Sequence, residues 1–227
     1  MKGMICTLAF LLPSLFTIDV ARGAERERVV VEAIIDTGAT MMVEERDEVT
    51  KLFLAALRDL PGRQFAHARI DLILTSEPTT VWSGNRKGLR TDILRVLEKV
   101  RPTDKCSDLS RAIREAETNL RLAQPDEAYV LVFASLIDTP FPCADTEFVL
   151  PQEPASGLEI GNLVSRYNVR GLRFFGVNPH QKRPWLLYLE REGVTKLERS
   201  GKLDFDLLDF AQSRSVLMKG ELLERRR

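Results

Sequence analysis

The segment Asp36-Thr37-Gly38-Ala39-Thr40 places one carboxylate and two hydroxyls directly after the apolar run Val29–Ile35. Asp36 at such a strand end can act as an acid–base group if a second carboxylate is supplied, or can simply accept hydrogen bonds from its own turn. A second polar group, Cys106-Ser107-Asp108-Leu109-Ser110, opens an amphipathic run, where Ser107 reads equally well as a helix N-cap. A third, Ser135 and Asp138, follows the apolar stretch Ala128–Phe133. Gly38 suits a turn that needs positive φ. Other reactive types do not group. His67 and His180 lie far apart, and no Ser/His/Asp or Cys/His spacing nominates a nucleophile with its base. No Gly-rich phosphate loop is present, and the three cysteines lack zinc-ribbon spacing. Trp82 and Trp185 read as packing groups.

The 227 residues suffice for an independent core, with 44% hydrophobic and 29% charged residues. Lys+Arg and Asp+Glu are both 33, so no net charge draws the chain to nucleic acid or an acidic membrane. Composition thus excludes a disordered protein, a nucleic-acid tail and a multi-span membrane protein.

Residues 1–23 carry the plan of a secretory signal peptide: Lys2, the mostly apolar Met4–Val20, then Ala21-Arg22-Gly23 with small residues flanking Arg22. A retained membrane anchor is the alternative, but Pro13 and Asp19 interrupt the apolar run and it is short for a span. Cleavage removes Cys6 and leaves a mature charge of −1 with Cys106 and Cys143. The expected location is periplasmic or secreted, with no stable membrane span after cleavage.

The mature chain alternates strand and helix patterns. Strands are expected at Val29–Ile35, Ala68–Thr75, Thr79–Trp82, Ala128–Phe133, Leu172–Val177 and Val194–Leu197. Helices are expected at Asp47–Leu60, from Thr91 to Val100, from Ser107 to Leu120, and at Leu158–Tyr167, Trp185–Glu192 and Phe205–Gln212. Leu136–Glu153 is a proline-containing loop, and Ser213–Arg227 a charged tail that is solvated and frayed. The fold class is α/β: a three-layer, doubly wound, mostly parallel sheet with one antiparallel hairpin strand and helices on both faces. Ligands in such sheets bind at the strand C-terminal edge. Asp36–Thr40, Ser135–Cys143 and Asn178–Lys182 are the loops expected there.

Two families share features with these residues. AIIDTGAT resembles the active-site segment of retroviral-type aspartic proteases. That resemblance implies a homodimer pairing two copies of Asp36, with Phe174-Phe175-Gly176 as the second segment. The order of elements over Val29–Gln212 resembles the von Willebrand factor A domain. There, Asp-x-Ser-x-Ser after the first strand, a Thr opening a later helix and an Asp ending the fourth strand build a metal-ion-dependent adhesion site. Carried across, Asp36 matches the Asp, Gly38 replaces the first Ser, Thr40 the second, and Ser107 the Thr. Ser135 stands where the strand-end Asp is expected, and Asp138 could reach in from the loop. The resemblance implies a degenerate site, with Asp36, Thr40 and Ser107 as metal-ligating oxygens for weak Mg²⁺ or Mn²⁺ binding. It implies a protein-binding rather than catalytic domain over 24–212, using the upper face of its sheet for a protein partner. In this fold the loops carrying Cys106 and Cys143 feed one face. That implies a Cys106–Cys143 disulfide in an oxidising compartment, two free thiols being the alternative.

Overall fold

The computed structural model describes residues 28–38, 40, 43–101, 103, 106–139, 154 and 157–223. The expected signal peptide at 1–23, Cys143, most of the proline-containing loop and the terminal arginines lie outside the described residues.

Among the described residues six strands form one sheet: β1 (Val29–Ile35), β2 (Arg69–Leu74), β3 (Thr80–Gly84), β4 (Glu127–Phe133), β5 (Val169–Phe175) and β6 (Asp204–Leu207). Their order is β3-β2-β1-β4-β5-β6. Only β2–β3 is antiparallel; every other neighbouring pair is parallel. The helices are α1 (Val43–Arg58), α2 (Arg86–Lys99), α3 (Leu109–Ala123), α4 (Ile160–Arg166), α5 (Pro179–Arg191), α6 (Val194–Arg199) and α7 (Phe210–Met218).

β1 is buried along its whole length, as a strand covered on both faces must be. Its period-2 alternation divides the interior. Val30 and Ile34 pack with Leu109, Ile113, Ala116 and Leu120 of α3, a layer continued by α4, α5 and α6. Val31, Ala33 and Ile35 pack with Val49, Phe53 and Leu57 of α1, a layer shared with α2 and α7. The expected three-layer α/β sheet with one antiparallel hairpin is therefore the observed one. Trp82 and Trp185 are buried packing groups, as read from the sequence, whereas His67 and His180 are exposed.

Several local expectations are corrected. Val194–Leu197 is not a strand but lies in α6. Gly193, at φ 78°, lets the chain turn out of α5, and only Val194 of the new helix is buried. Phe205–Gln212 is not one helix. Asp204–Leu207 is the edge strand β6, with Phe205 packed on the α3 side and Asp204 and Asp206 directed at Arg173 of β5. Asp209 then caps α7, with Gln212 completing a capping box. The chain after Ser213 is not a solvated tail as far as it is described: Ser213, Val216, Leu217 and Leu222 are buried. Arg173, itself 1% exposed, holds this end down through hydrogen bonds to the carbonyls of Glu221 and Leu222. α2 starts at its Asn85 cap, not at Thr91, and α5 starts at Asn178, so Asn178–Lys182 is mostly first helical turn rather than loop.

The sheet's two sides end in short strands. β3 is five residues long and irregular in register against β2, and Lys99 of α2 donates to its Val81 carbonyl at 2.8 Å. β6 has four residues.

Candidate functional site at the strand C-terminal edge

Because β1, β2, β4 and β5 are parallel, their C-terminal ends share one edge. The ladder extends one residue beyond the strands: Asp36 N–H donates to the Phe133 carbonyl (2.8 Å), Thr75 N–H to Ile35 (3.1 Å) and Ala134 N–H to Phe175 (3.0 Å). The register pair Ile35↔Leu74 thus sets Asp36 beside Thr75.

Asp36 is 1% exposed, and its carboxylate is the acceptor for two converging lines of hydroxyls. On one side Ser107 Oγ donates to Thr75 Oγ1 (3.0 Å), which donates to Asp36 Oδ1 (2.9 Å). On the other, Ser135 Oγ donates to Thr40 Oγ1 (3.1 Å), which donates to Asp36 Oδ2 (2.7 Å). The Gly38 amide adds a third donor, to Oδ1 at 2.9 Å. Asp36, Thr40, Ser107 and Ser135 are therefore brought together as the sequence suggested, although Asp36 also serves its own turn.

Ser107 is 0% exposed and pinned by Thr139, whose hydroxyl accepts from the Ser107 amide at 2.7 Å while its own amide donates back to the Ser107 carbonyl at 2.7 Å. Ser107 does not cap α3. Asp108 does, accepting from the Arg111 amide at 2.8 Å. Asp138 does not join the Asp36 network. Its carboxylate takes the Leu109 amide (2.9 Å) and the Ser110 hydroxyl (2.6 Å) at the start of α3. Burial pushes the Asp138 carboxyl above its usual range, helped by Asp108, while the Ser110 hydroxyl and the α3 amides oppose. Gly38 is not in a positive-φ conformation. It is needed because the Cys106-Ser107 backbone passes directly against it. Cys106 is buried.

Thr75 and Thr139 were not singled out from the sequence. Thr75 had a signal: it ends the apolar run of β2 as Asp36 ends that of β1. Thr139 had none, because its role depends on a loop folding back on α3. Arg46 of α1, 3% exposed, also supports the site by donating to the Gly38 carbonyl.

The oxygens of Asp36, Thr40, Thr75, Ser107 and Ser135 suit a hard cation in donor type. Among the described residues Asp36 is the one carboxylate in this network, and no group of three or more His, Cys, Asp or Glu side chains gathers as a metal cluster. Each hydroxyl proton also points along the lines toward Asp36, so a cation would have to turn these hydroxyls to expose their lone pairs.

This sheet order, with oxygen-bearing loops gathered at the strand C-terminal edge, is the von Willebrand factor A fold. Among solved structures the chain is similar to the D319A mutant of the PilB minor pilin from Streptococcus sanguinis (TM-score 0.56, 13% identity, 89% of this chain and 61% of that one). It is similar also to the pilus adhesin SpaC from Lactobacillus rhamnosus GG (TM-score 0.53, 10% identity, 87% and 30%). A third is the von Willebrand factor type A protein from Catenulispora acidiphila (TM-score 0.51, 11% identity, 85% and 41%). The chain spans less than two thirds of each of these proteins. No protein-family model and no curated protein matches it in sequence. An aspartic protease of the retroviral type needs a nearly all-strand framework. Here Asp36 ends a central parallel strand between helical layers, and that reading is set aside.

Among the described residues no helix is long and apolar enough to cross a membrane.

Proposed function

We propose that the protein is an exported, non-catalytic binding module that engages a protein partner through the loop edge around Asp36, Thr40 and Ser107. A Mg²⁺ or Mn²⁺ ion held weakly by those three residues, with Ser135 beside them, assists adhesion. The observation that carries this reading is the convergence of two hydroxyl lines on the buried Asp36 carboxylate at the edge where α/β sheets bind ligands. The pilin and adhesin character of the structural neighbours supports it. When bound, the cation would supply an open coordination position for a partner's carboxylate. The chain's own part is to hold the oxygens and keep the loops in place. Periplasmic or secreted placement, cleavage near Ala24 and a Cys106–Cys143 bridge belong to the same proposal.

Calorimetric titration of the mature chain with Mg²⁺ and Mn²⁺ tests the metal part. A weak saturable heat, absent from Asp36→Ala, is expected. No heat with the wild type removes the cation from the proposal, and tight binding overturns the description of the site as degenerate. N-terminal sequencing of the exported protein should begin at Ala24.

A further inference from the structure

On the α3 side of the sheet, below the loop edge, two carboxylates meet in the buried interior. Glu32 of β1 and Asp71 of β2 are register partners in the parallel pair, and each is 0% exposed. Strand alternation sends Glu32 to the face where Val30 and Ile34 pack, and Asp71 to the face of Ile73, so both lie toward α3.

Among the described residues the positive charge that acts on this pair is Arg69. Arg69 Nε lies 2.9 Å from Asp71 Oδ1 and 2.8 Å from Oδ2. From α3, Asn119 Nδ2 donates to Glu32 Oε2 at 3.1 Å and to Thr80 Oγ1 of β3 at 2.9 Å. Thr80 passes its own proton to Glu115 Oε1 at 3.0 Å, so Glu115 is engaged on the far side of Asn119. The remaining strand neighbours are Val130 of β4 beside Glu32 and Ser83 of β3 beside Asp71, neither of them charged. Glu32 Oε1 meets no hydrogen-bond donor, and Asp71 Oδ2 has only its ion-pair approach to Arg69.

Two buried carboxylates against one guanidinium leave one negative charge uncompensated. A buried carboxylate in that position neutralises instead of staying charged. We propose that Glu32 and Asp71 hold one proton between them in the folded protein, as a Glu32 hydroxyl donated to Asp71, and that this proton is a pH-sensitive latch fastening β1, β2 and α3. The donated hydroxyl gives Glu32 Oε1 and Asp71 Oδ2 the partner each lacks. Burial and the Asp71 charge push the Glu32 carboxyl well above its usual range, against the opposing pull of Asn119 and Arg69. The proton belongs to the pair, so the titration is that of the pair.

In the unfolded chain both carboxyls are ionised at neutral pH, so folding takes up the proton. The latch is complete at low pH and is lost as pH rises from the ordinary carboxylate range to the pair's raised value. Across that window the folding equilibrium constant falls about tenfold per pH unit.

Unfolding in guanidinium at pH 7, followed by proton release into a weakly buffered solution, tests this. The wild type should release about one proton per chain more than Glu32→Gln. Its folding constant should fall as pH rises above the ordinary carboxylate range, where that of Glu32→Gln changes less. Asp71→Asn leaves Glu32 to pair with Arg69 as an ion, so its extra release should vanish too. Equal release by wild type and either folded variant overturns the proposal. If neither variant folds, the wild type decides alone: no proton released at pH 7 overturns it, and release with stability falling as pH rises upholds it.

Discussion

Gly38 lies so near Ser107 that a Cβ on it would stand 2.9 Å from the Ser107 Cβ and 3.0 Å from the Cys106 carbonyl oxygen. The loop that presents Asp36 is therefore seated directly on the lead-in to α3. Gly38→Ala should destabilise the fold by about 1–3 kcal/mol, because the clash is with backbone and a short side chain that cannot swing away. Gly38→Ser, which would restore the adhesion-site spelling, should cost at least as much. Denaturant midpoints measure both, and an unchanged midpoint would contradict the close approach.

Asp36 accepts from Gly38, Thr40 and Thr75 while buried. Truncation removes the acceptor that all three share. Asp36→Ala should cost about 1–3 kcal/mol for each buried donor left without a partner. The variant should therefore melt earlier as well as lose any response to Mg²⁺ or Mn²⁺. A variant as stable as wild type would show that the hydroxyl lines relax without loss.

Ser135 occupies the strand-end position, its hydroxyl 3.1 Å from that of Thr40. Ser135→Asp adds a second carboxylate to a network that has one. It should tighten Mg²⁺ or Mn²⁺ binding by about tenfold or more, since anionic oxygen sets the affinity of such sites. Without metal the added charge repels Asp36, so the variant should be less stable until the cation is supplied. Thermal melts with and without Mn²⁺ separate the two effects.

Cys106 and Cys143 would close a loop of 38 residues. Their bridge should contribute roughly 4 kcal/mol by the chain-entropy relation. The denatured, unreduced mature protein should show no free thiol, and reduction should lower its melting temperature. A count of two thiols would remove the bridge.

The architecture was legible because β1, apolar but for Glu32, and Ala128–Phe133 of β4 are runs that only a sheet covered on both faces can bury. The carboxylate–hydroxyl grouping was legible because Asp36 and Thr40 follow β1, Ser135 follows β4, and Ser107 precedes the amphipathic α3. Three things were hidden. Phe205 and Leu207 alternate with Asp204 and Asp206, a period-2 signal in a stretch short enough to pass for part of a helix. The burial of Leu222 depends on Arg173, far away in sequence. Asp138 looked available to the site, but the amide of Leu109 and the hydroxyl of Ser110 claim it once α3 is in place.

The treatment of the sheet's two sides bears on how anything could attach to it. An open strand edge invites another chain to add to the ladder, and proteins that avoid this shorten, charge or cap the edge. Here the Val81 carbonyl of β3 is taken by Lys99, and β6 is brief, with Asp204 and Asp206 alternating along it. Strand addition at either flank, and the fibre growth that follows from it, is thereby disfavoured. What is left for a visitor is a surface of loops, read by side chains rather than by a borrowed backbone.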